Sequence, residues 1–144
     1  MERIKITLPP NFSFKTPIAV RVTDLNYGGH VGNDTYLTLL HEARVKYLQH
    51  HQYTELLFAG TSLIMADAAI EYKRELTHFD TAFISVTASG FDKIGFDLFY
   101  LIEVEINGEW FVAAKAKTGM MCFDYKEKKR TPVPDKAIQR LSES

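Results

Sequence analysis

Apolar and polar positions recur along this chain at two different periods. Between residues 35 and 51, Tyr36, Leu40, Ala43 and Tyr47 fall at helical spacing, and Leu37 and Leu48 widen the stripe. Leu39 and Val45 put apolar side chains on other faces. The pattern predicts one long helix buried by more than one surface, with Glu42 carried on it. Elsewhere the period is two. The β-branched run TPIAVRVT at residues 16–23 predicts a strand. Four further strands are expected at about 62–73, 81–91, 95–106 and 110–123. In the third of these, Phe96, Leu98, Tyr100, Ile102, Val104 and Ile106 share one face. Asn107-Gly108 then marks a tight hairpin into the last strand. Residues 1–15 form a leader containing Pro9 and Pro10, expected to lie over the surface. The tail holds Pro132 and Pro134 and then a short amphipathic helix near residues 136–141.

One strand, one long helix and a meander of four strands predict an α+β fold with an antiparallel sheet of about five strands around a central helix. The 144 residues make one domain, with its core at about 16–130. Outward positions of the last two strands include Phe99 and Leu101, so a homodimer or a larger symmetric oligomer is expected.

Composition narrows the function classes. Hydrophobic residues make up 46% of the chain and aromatics 12%, enough for a packed core. The formal net charge of -1 points to no nucleic-acid partner and no anionic membrane. The single cysteine, Cys122, sits in an apolar run and reads as core. One thiol forms no internal disulfide and builds no cysteine zinc site. The N-terminus lacks a signal-peptide pattern, and no apolar run approaches the roughly 20 residues that span a bilayer. A soluble cytoplasmic protein is expected.

The chemistry concentrates between Thr23 and Arg44. DLNYGGHVGN is a turn dense in Gly, Asn and Asp, and Asn33 or Asp34 can cap the helix that follows. Unpaired N–H groups and the helix dipole at such a point can hold an anion or polarise a carbonyl oxygen. Gly28, Gly29 and Gly32 allow close approach of a ligand. His30 can donate a hydrogen bond or move a proton. Asn26 and Asn33 can orient a substrate or a water. The alternative is a glycine-rich turn with a capping residue and a surface histidine. GGHVGN lacks the spacing of a phosphate loop, and His41, His50 and His51 lack the helical zinc pattern. Asp67, a carboxylate on an otherwise apolar strand, either pairs structurally or lies near the pocket.

The stretch RVTDLNYGGHVGNDTYLTLLHEAR resembles the hot-dog-fold thioesterases, in particular the group of 4-hydroxybenzoyl-CoA thioesterase and the short acyl-CoA thioesterases. Asp24, Gly29, His30, Val31, Asn33, Tyr36, Glu42, Ala43 and Arg44 stand in step with that family's pattern. IEYKREL resembles the strand after the helix, as in plant acyl-carrier-protein thioesterases, and Asp80 fits the Asp that opens the next strand. The resemblance covers about residues 16–130. It implies a curved sheet wrapped around the helix, and dimers with acyl-thioester sites at their interface. It also implies catalysis by a carboxylate, with no metal and no cofactor beyond the coenzyme A of the substrate. The polarising N–H falls to Asn33. Tyr27, Gly28, Gly29 and Tyr36 are expected to line the site, with Lys73, Arg74 and Lys93 as phosphate contacts. The acyl chain is expected against Tyr36, Leu40 and residues 64–68.

The departures are specific. The family's catalytic Asp is Asn26 here, which removes base and nucleophile from that position. The Asn two residues before the His in the plant enzymes is Gly28, and the first Asn after the Val is Gly32. Their later Glu is matched by Glu75. Three replacements are open. His30 could activate water, oriented by Glu42 or Glu75. Asp67 or Glu75 could be the base, from this chain or a partner. Asp24 could reach in, although it reads as a structural brace. The expected function is hydrolysis of an acyl-CoA, or of an acyl-carrier-protein thioester. The competing readings are a non-hydrolytic acyl-thioester-binding protein and a hot-dog dehydratase.

Overall fold

The computed structural model describes residues 1–143. The elements are β1 (Phe14–Ala19), α1 (Thr35–His50), β2 (Ser62–Tyr72), β3 (Thr81–Ser89), β4 (Gly95–Ile106), β5 (Glu109–Asp124), β6 (Lys129–Arg130) and α2 (Asp135–Ser142). Every strand pair is antiparallel, in the order β1-β3-β4-β5-β2, with β6 beside β5. The expected sheet and central helix are both present. The two-residue β6 has no counterpart in the sequence pattern. It is too short to show a period, and it forms because the chain doubles back after β5.

The alternating pattern of β4 sets the inner face. Phe96, Leu98, Tyr100, Ile102 and Val104 are all buried, together with Ala82, Ile84 and Val86 of β3. Against them lies the α1 stripe of Tyr36, Leu39, Leu40, Ala43, Tyr47 and Leu48. Asn107 and Gly108 both take positive φ, 53° and 83°, as a tight β4–β5 turn requires. Register shifts at Met65/Asp67 of β2 and Ile102/Glu103 of β4 interrupt strict alternation and add local twist. Cys122 is in the core.

Three features differ from the sequence reading. β1 ends at Ala19, because the Asp24 carboxylate takes the Arg21 N–H at 2.8 Å and turns residues Val22–Asp24 into a 3-10 segment. β2 alternates differently on either side of its bulge. Also, α1 is not covered on all sides: Leu37, Val45 and Glu42 are exposed in the single chain, so only one face of the helix meets the sheet.

The leader does lie over the surface. β1 and β2 are opposite edges of the sheet, yet the Ile6 N–H reaches the Glu71 carboxylate of β2 at 2.9 Å. Glu71 pairs in register with Lys115, on the outward side, so the leader crosses the outer face. At the other end of the domain, α2 buries Ala137 and Leu141, and Arg140 donates to the His51 carbonyl at 3.2 Å.

Arg44 is the one cation in the interior of α1. Burial alone disfavours its charge. The Tyr100 hydroxyl at 3.3 Å and the Glu55 carboxylate at 2.8 Å outweigh that effect and hold its pKa above the ordinary value. Tyr100 also shares a 2.7 Å hydrogen bond with Thr118. Removing Arg44 leaves Tyr100 with Thr118 and Glu55 with His41 at 3.4 Å, each one partner short. Arg44→Ala is expected to cost about 2 kcal/mol, below the range for a fully buried pair because Glu55 keeps some solvent contact. Chemical denaturation reads this directly, and an unchanged midpoint would contradict it.

Candidate active site

The turn before α1 is built by its own side chains. The Asn26 N–H donates to the His30 carbonyl at 2.8 Å, and the Gly29 N–H to the Asn26 carbonyl at 3.1 Å. The Asn26 side-chain oxygen accepts the Gly28 N–H at 2.8 Å and the His30 N–H at 3.4 Å. Gly29 has φ +80°, a conformation that side chains resist. Thr77 pins the turn from outside: its hydroxyl donates to the Gly29 carbonyl at 3.0 Å, and its backbone pairs with His30.

The helix start follows directly. The Gly32 N–H goes to the Asp24 carbonyl and the Thr35 N–H to the Gly32 carbonyl. Asp34 occupies the cap position but makes no side-chain cap; Asn33 Oδ1 instead accepts the Asp34 N–H at 3.1 Å. Among the described residues the Asn33 N–H has no hydrogen-bond partner. It is an orphan donor at a helix N-terminus, the kind of group that can hold a developing oxyanion.

A cleft of about 760 Å³ opens over this point, lined by Asn26, Tyr27, His30, Asn33, Tyr36, Tyr72, Lys73, Arg74 and Glu75 with Val31, Gly32 and Asp34. His30 Nε2 lies 3.1 Å from a Glu75 carboxylate oxygen. The Arg74 guanidinium stacks on the Phe111 ring at 4.1 Å, which fixes a cation on the wall. Lys73 is paired with Glu71 at 2.6 Å. Tyr36 is buried, and its hydroxyl donates to the Arg74 carbonyl at 3.2 Å. Burial pushes its pKa up to about 12, so it remains a donor at neutral pH.

The structure therefore brings Asn26, Tyr27, His30, Asn33, Tyr36, Lys73, Arg74 and Glu75 to one cleft, with Gly28 and Gly29 forming the turn at its rim. It does not bring the other candidates there. Glu42 faces a separate groove with Arg21, Thr38, His41 and Val45. It lies on the helix flank, and of the two carboxylates considered as partners for His30, only Glu75 touches it. Asp67 receives the Lys117 ammonium at 2.8 Å and the Gly119 N–H at 2.9 Å, and the first of these bonds mainly holds its pKa down. Within the chain it belongs to a different depression, with Asp92 and Asp97. The Asp24 carboxylate is occupied by Arg21, so it braces the turn. Lys93 lies in the β3–β4 turn, where its carbonyl takes the Val133 N–H. Leu40 and residues 64–68 do not line the cleft; Leu40 is sealed in the core. Sequence reasoning missed Tyr72 and Thr77 as site residues. Tyr72 ends a recognisable strand, but nothing in the linear pattern places its hydroxyl at the helix start.

A family model described as the thioesterase-like superfamily matches residues 20–141. The chain belongs to the thioesterase-like superfamily. Its architecture is the hot-dog fold of solved thioesterase structures. One is a 1,4-dihydroxy-2-naphthoyl-CoA thioesterase from Synechocystis, 20% identical, with TM-score 0.79 over 90% of this chain and 96% of that one. A thioesterase from Thermus thermophilus, complexed with coenzyme A and Zn, is 25% identical, with TM-score 0.76 over 92% and 95%. A 4-hydroxybenzoyl-CoA thioesterase, an Asp-to-Asn mutant complexed with 4-hydroxybenzoyl-CoA, is 12% identical, with TM-score 0.80 over 89% and 97%. No curated protein matches the chain. Among the described residues no helix is long and apolar enough to cross a membrane.

Proposed function

We propose that this chain hydrolyses an acyl-CoA thioester in the cleft at the start of α1. The observation that carries the reading is the pairing, in one cleft, of an unoccupied Asn33 N–H with a His30–Glu75 couple 3.1 Å apart. With Nε2–H directed at Glu75, Nδ1 is the nitrogen left to take a proton from water. The water oxygen attacks the carbonyl carbon while the Asn33 N–H holds the oxyanion. Collapse breaks the C–S bond, and the proton held by His30 goes to the departing thiolate. The products are the free acid and coenzyme A, and the family resemblance implies no metal or further cofactor. Coenzyme A is large and anionic, and Arg74 and Lys73 lie on the wall where its phosphates could pair.

The β2 edge is unpaired within the chain and exposes Met65 among Ala66 and Ala68. An uncovered apolar edge of this length invites a second strand. A homodimer or homotetramer built on it is part of the proposal.

Asn26 motivates a second reading. An amide stands where the family resemblance places the catalytic carboxylate, and its oxygen is committed to the turn. A non-hydrolytic acyl-thioester-binding protein keeps the carbonyl-holding end and lacks the base. Incubation with acyl-CoAs of graded chain length and with aryl-CoAs separates the two. Thiol release well above the buffer rate on at least one substrate is the expected result. Tight binding without release supports the second reading and removes the first.

A further inference from the structure

Tyr36 and Tyr72 cross between the same two elements in opposite directions. Tyr36 leaves α1 and donates to the Arg74 carbonyl just beyond β2, at 3.2 Å. Tyr72 ends β2 and donates to the Asn33 carbonyl just before α1, at 2.6 Å. Their rings meet edge-on, with centroids 5.1 Å apart and planes at 87°. Asn33 is thereby held on both sides. The Gly32 carbonyl before it accepts the Thr35 N–H at 2.9 Å, and its own carbonyl accepts the Tyr72 hydroxyl. What remains free between these anchors is its N–H.

We propose that Tyr72 is a positioning residue for the thioester carbonyl: its hydroxyl fixes the Asn33 backbone so that the Asn33 N–H points steadily into the cleft. The inference rests on the thioester reading above. A preorganised donor stabilises developing charge more than one that must reorient during the reaction. Tyr72 suits the task chemically. Burial, followed by the nearby Asp34 charge, holds its phenol above the ordinary pKa, so it stays a donor at neutral pH. It is also half-exposed, with 42% of its surface accessible, so the fold does not depend on it as it does on Tyr36. Its bond serves the helix start rather than the core.

Tyr72→Phe removes the hydroxyl and keeps the ring against Tyr36. The expected result is a fall in kcat of roughly 5- to 10-fold, the scale of one hydrogen bond, with KM within about twofold of wild type. A second readout does not need turnover. Hexanoyl-CoA and benzoyl-CoA, isotope-labelled at the carbonyl carbon, report the polarisation of the bound carbonyl through its infrared stretch. In wild type the stretch should lie below the free value, and in Tyr72→Phe it should move back toward it. Unchanged kcat with an unchanged stretch overturns the proposal. So does a loss carried by KM alone, which would make Tyr72 a general binding contact. If wild type binds these thioesters without cleaving them, the hydrolytic reading fails while the stretch comparison still decides the role of Tyr72. If wild type binds neither, both fall.

Discussion

His30→Ala is expected to lower thioester cleavage by about 100-fold, with the protein still folded. The range for one positioned acid-base group is about 100- to 10,000-fold, and the low end applies because water retains access to this open cleft. About 100-fold corresponds to about 2.7 kcal/mol of transition-state stabilisation. The fold should tolerate the change, since the His30 side chain is 45% exposed and, among the described residues, its one polar partner is Glu75. The turn is held by the His30 backbone and by Asn26 and Thr77. A steady-state assay on the best substrate of the acyl-CoA series measures the effect. Glu75 makes the prediction sharper. If it only orients the imidazole, Glu75→Gln keeps a hydrogen-bond acceptor in place and loses less than His30→Ala. If Glu75 is itself the base, Glu75→Gln should be the more damaging change. Wild-type turnover in His30→Ala would remove histidine from the chemistry.

That ordering of roles shows what the linear sequence carries and what it does not. The architecture was legible because each element repeats its own signal. β4 alternates five buried side chains, Asn107-Gly108 dictates the hairpin, and α1 carries an apolar stripe over four turns. Long, periodic elements average out individual exceptions. β6 escaped because two residues hold no period, and the β2 bulge escaped because one extra residue shifts the faces without altering composition. The helix start was legible for a similar reason. Its chemistry is local, set by glycines, caps and the dipole within ten residues.

The partners from other elements were not legible in the same way. Glu42, Glu75 and Asp67 were equivalent as carboxylates near a suspected site. What separates them is registry in three dimensions. The segment after β2 runs back along the turn, with the Val31 N–H on the Leu76 carbonyl and His30 paired to Thr77, and this brings Glu75 to the imidazole. Glu42 sits on the flank of α1 instead, and Asp67 at the β2 bulge meets Lys117 on the outward side. Tyr72 belongs to the same class. Its strand could be recognised, but its 2.6 Å bond to a carbonyl 39 residues away is a product of the fold. Long-range pairing of exposed polar groups leaves no periodic trace, so a sequence offers candidates and the backbone path selects among them.

Asn26→Asp should raise thioester cleavage by about 10- to 100-fold, the opposite sign from every other substitution considered. The change is nearly isosteric. One carboxylate oxygen can keep the Gly28 and His30 N–H bonds that the amide oxygen accepts now. Those two donors favour the charged form. The second oxygen takes the place of the amide nitrogen on a residue that lines the cleft. There it would supply the base or nucleophile that the family resemblance expects at this position. Two effects hold the gain below the full value of a well-placed carboxylate. Glu75 already places a negative charge in the same cleft, and the cleft is open to water, which weakens any single electrostatic contact. The direction of change is therefore more diagnostic than its size. A rise shows that the scaffold, the Asn33 N–H and the substrate channel are competent and that wild type works with a weaker base. No rise, in a protein that still binds acyl-CoA, means that the thioester does not sit where residue 26 can reach its carbonyl. The cleft would then be a binding site whose chemistry, if any, belongs to His30 and Glu75 alone.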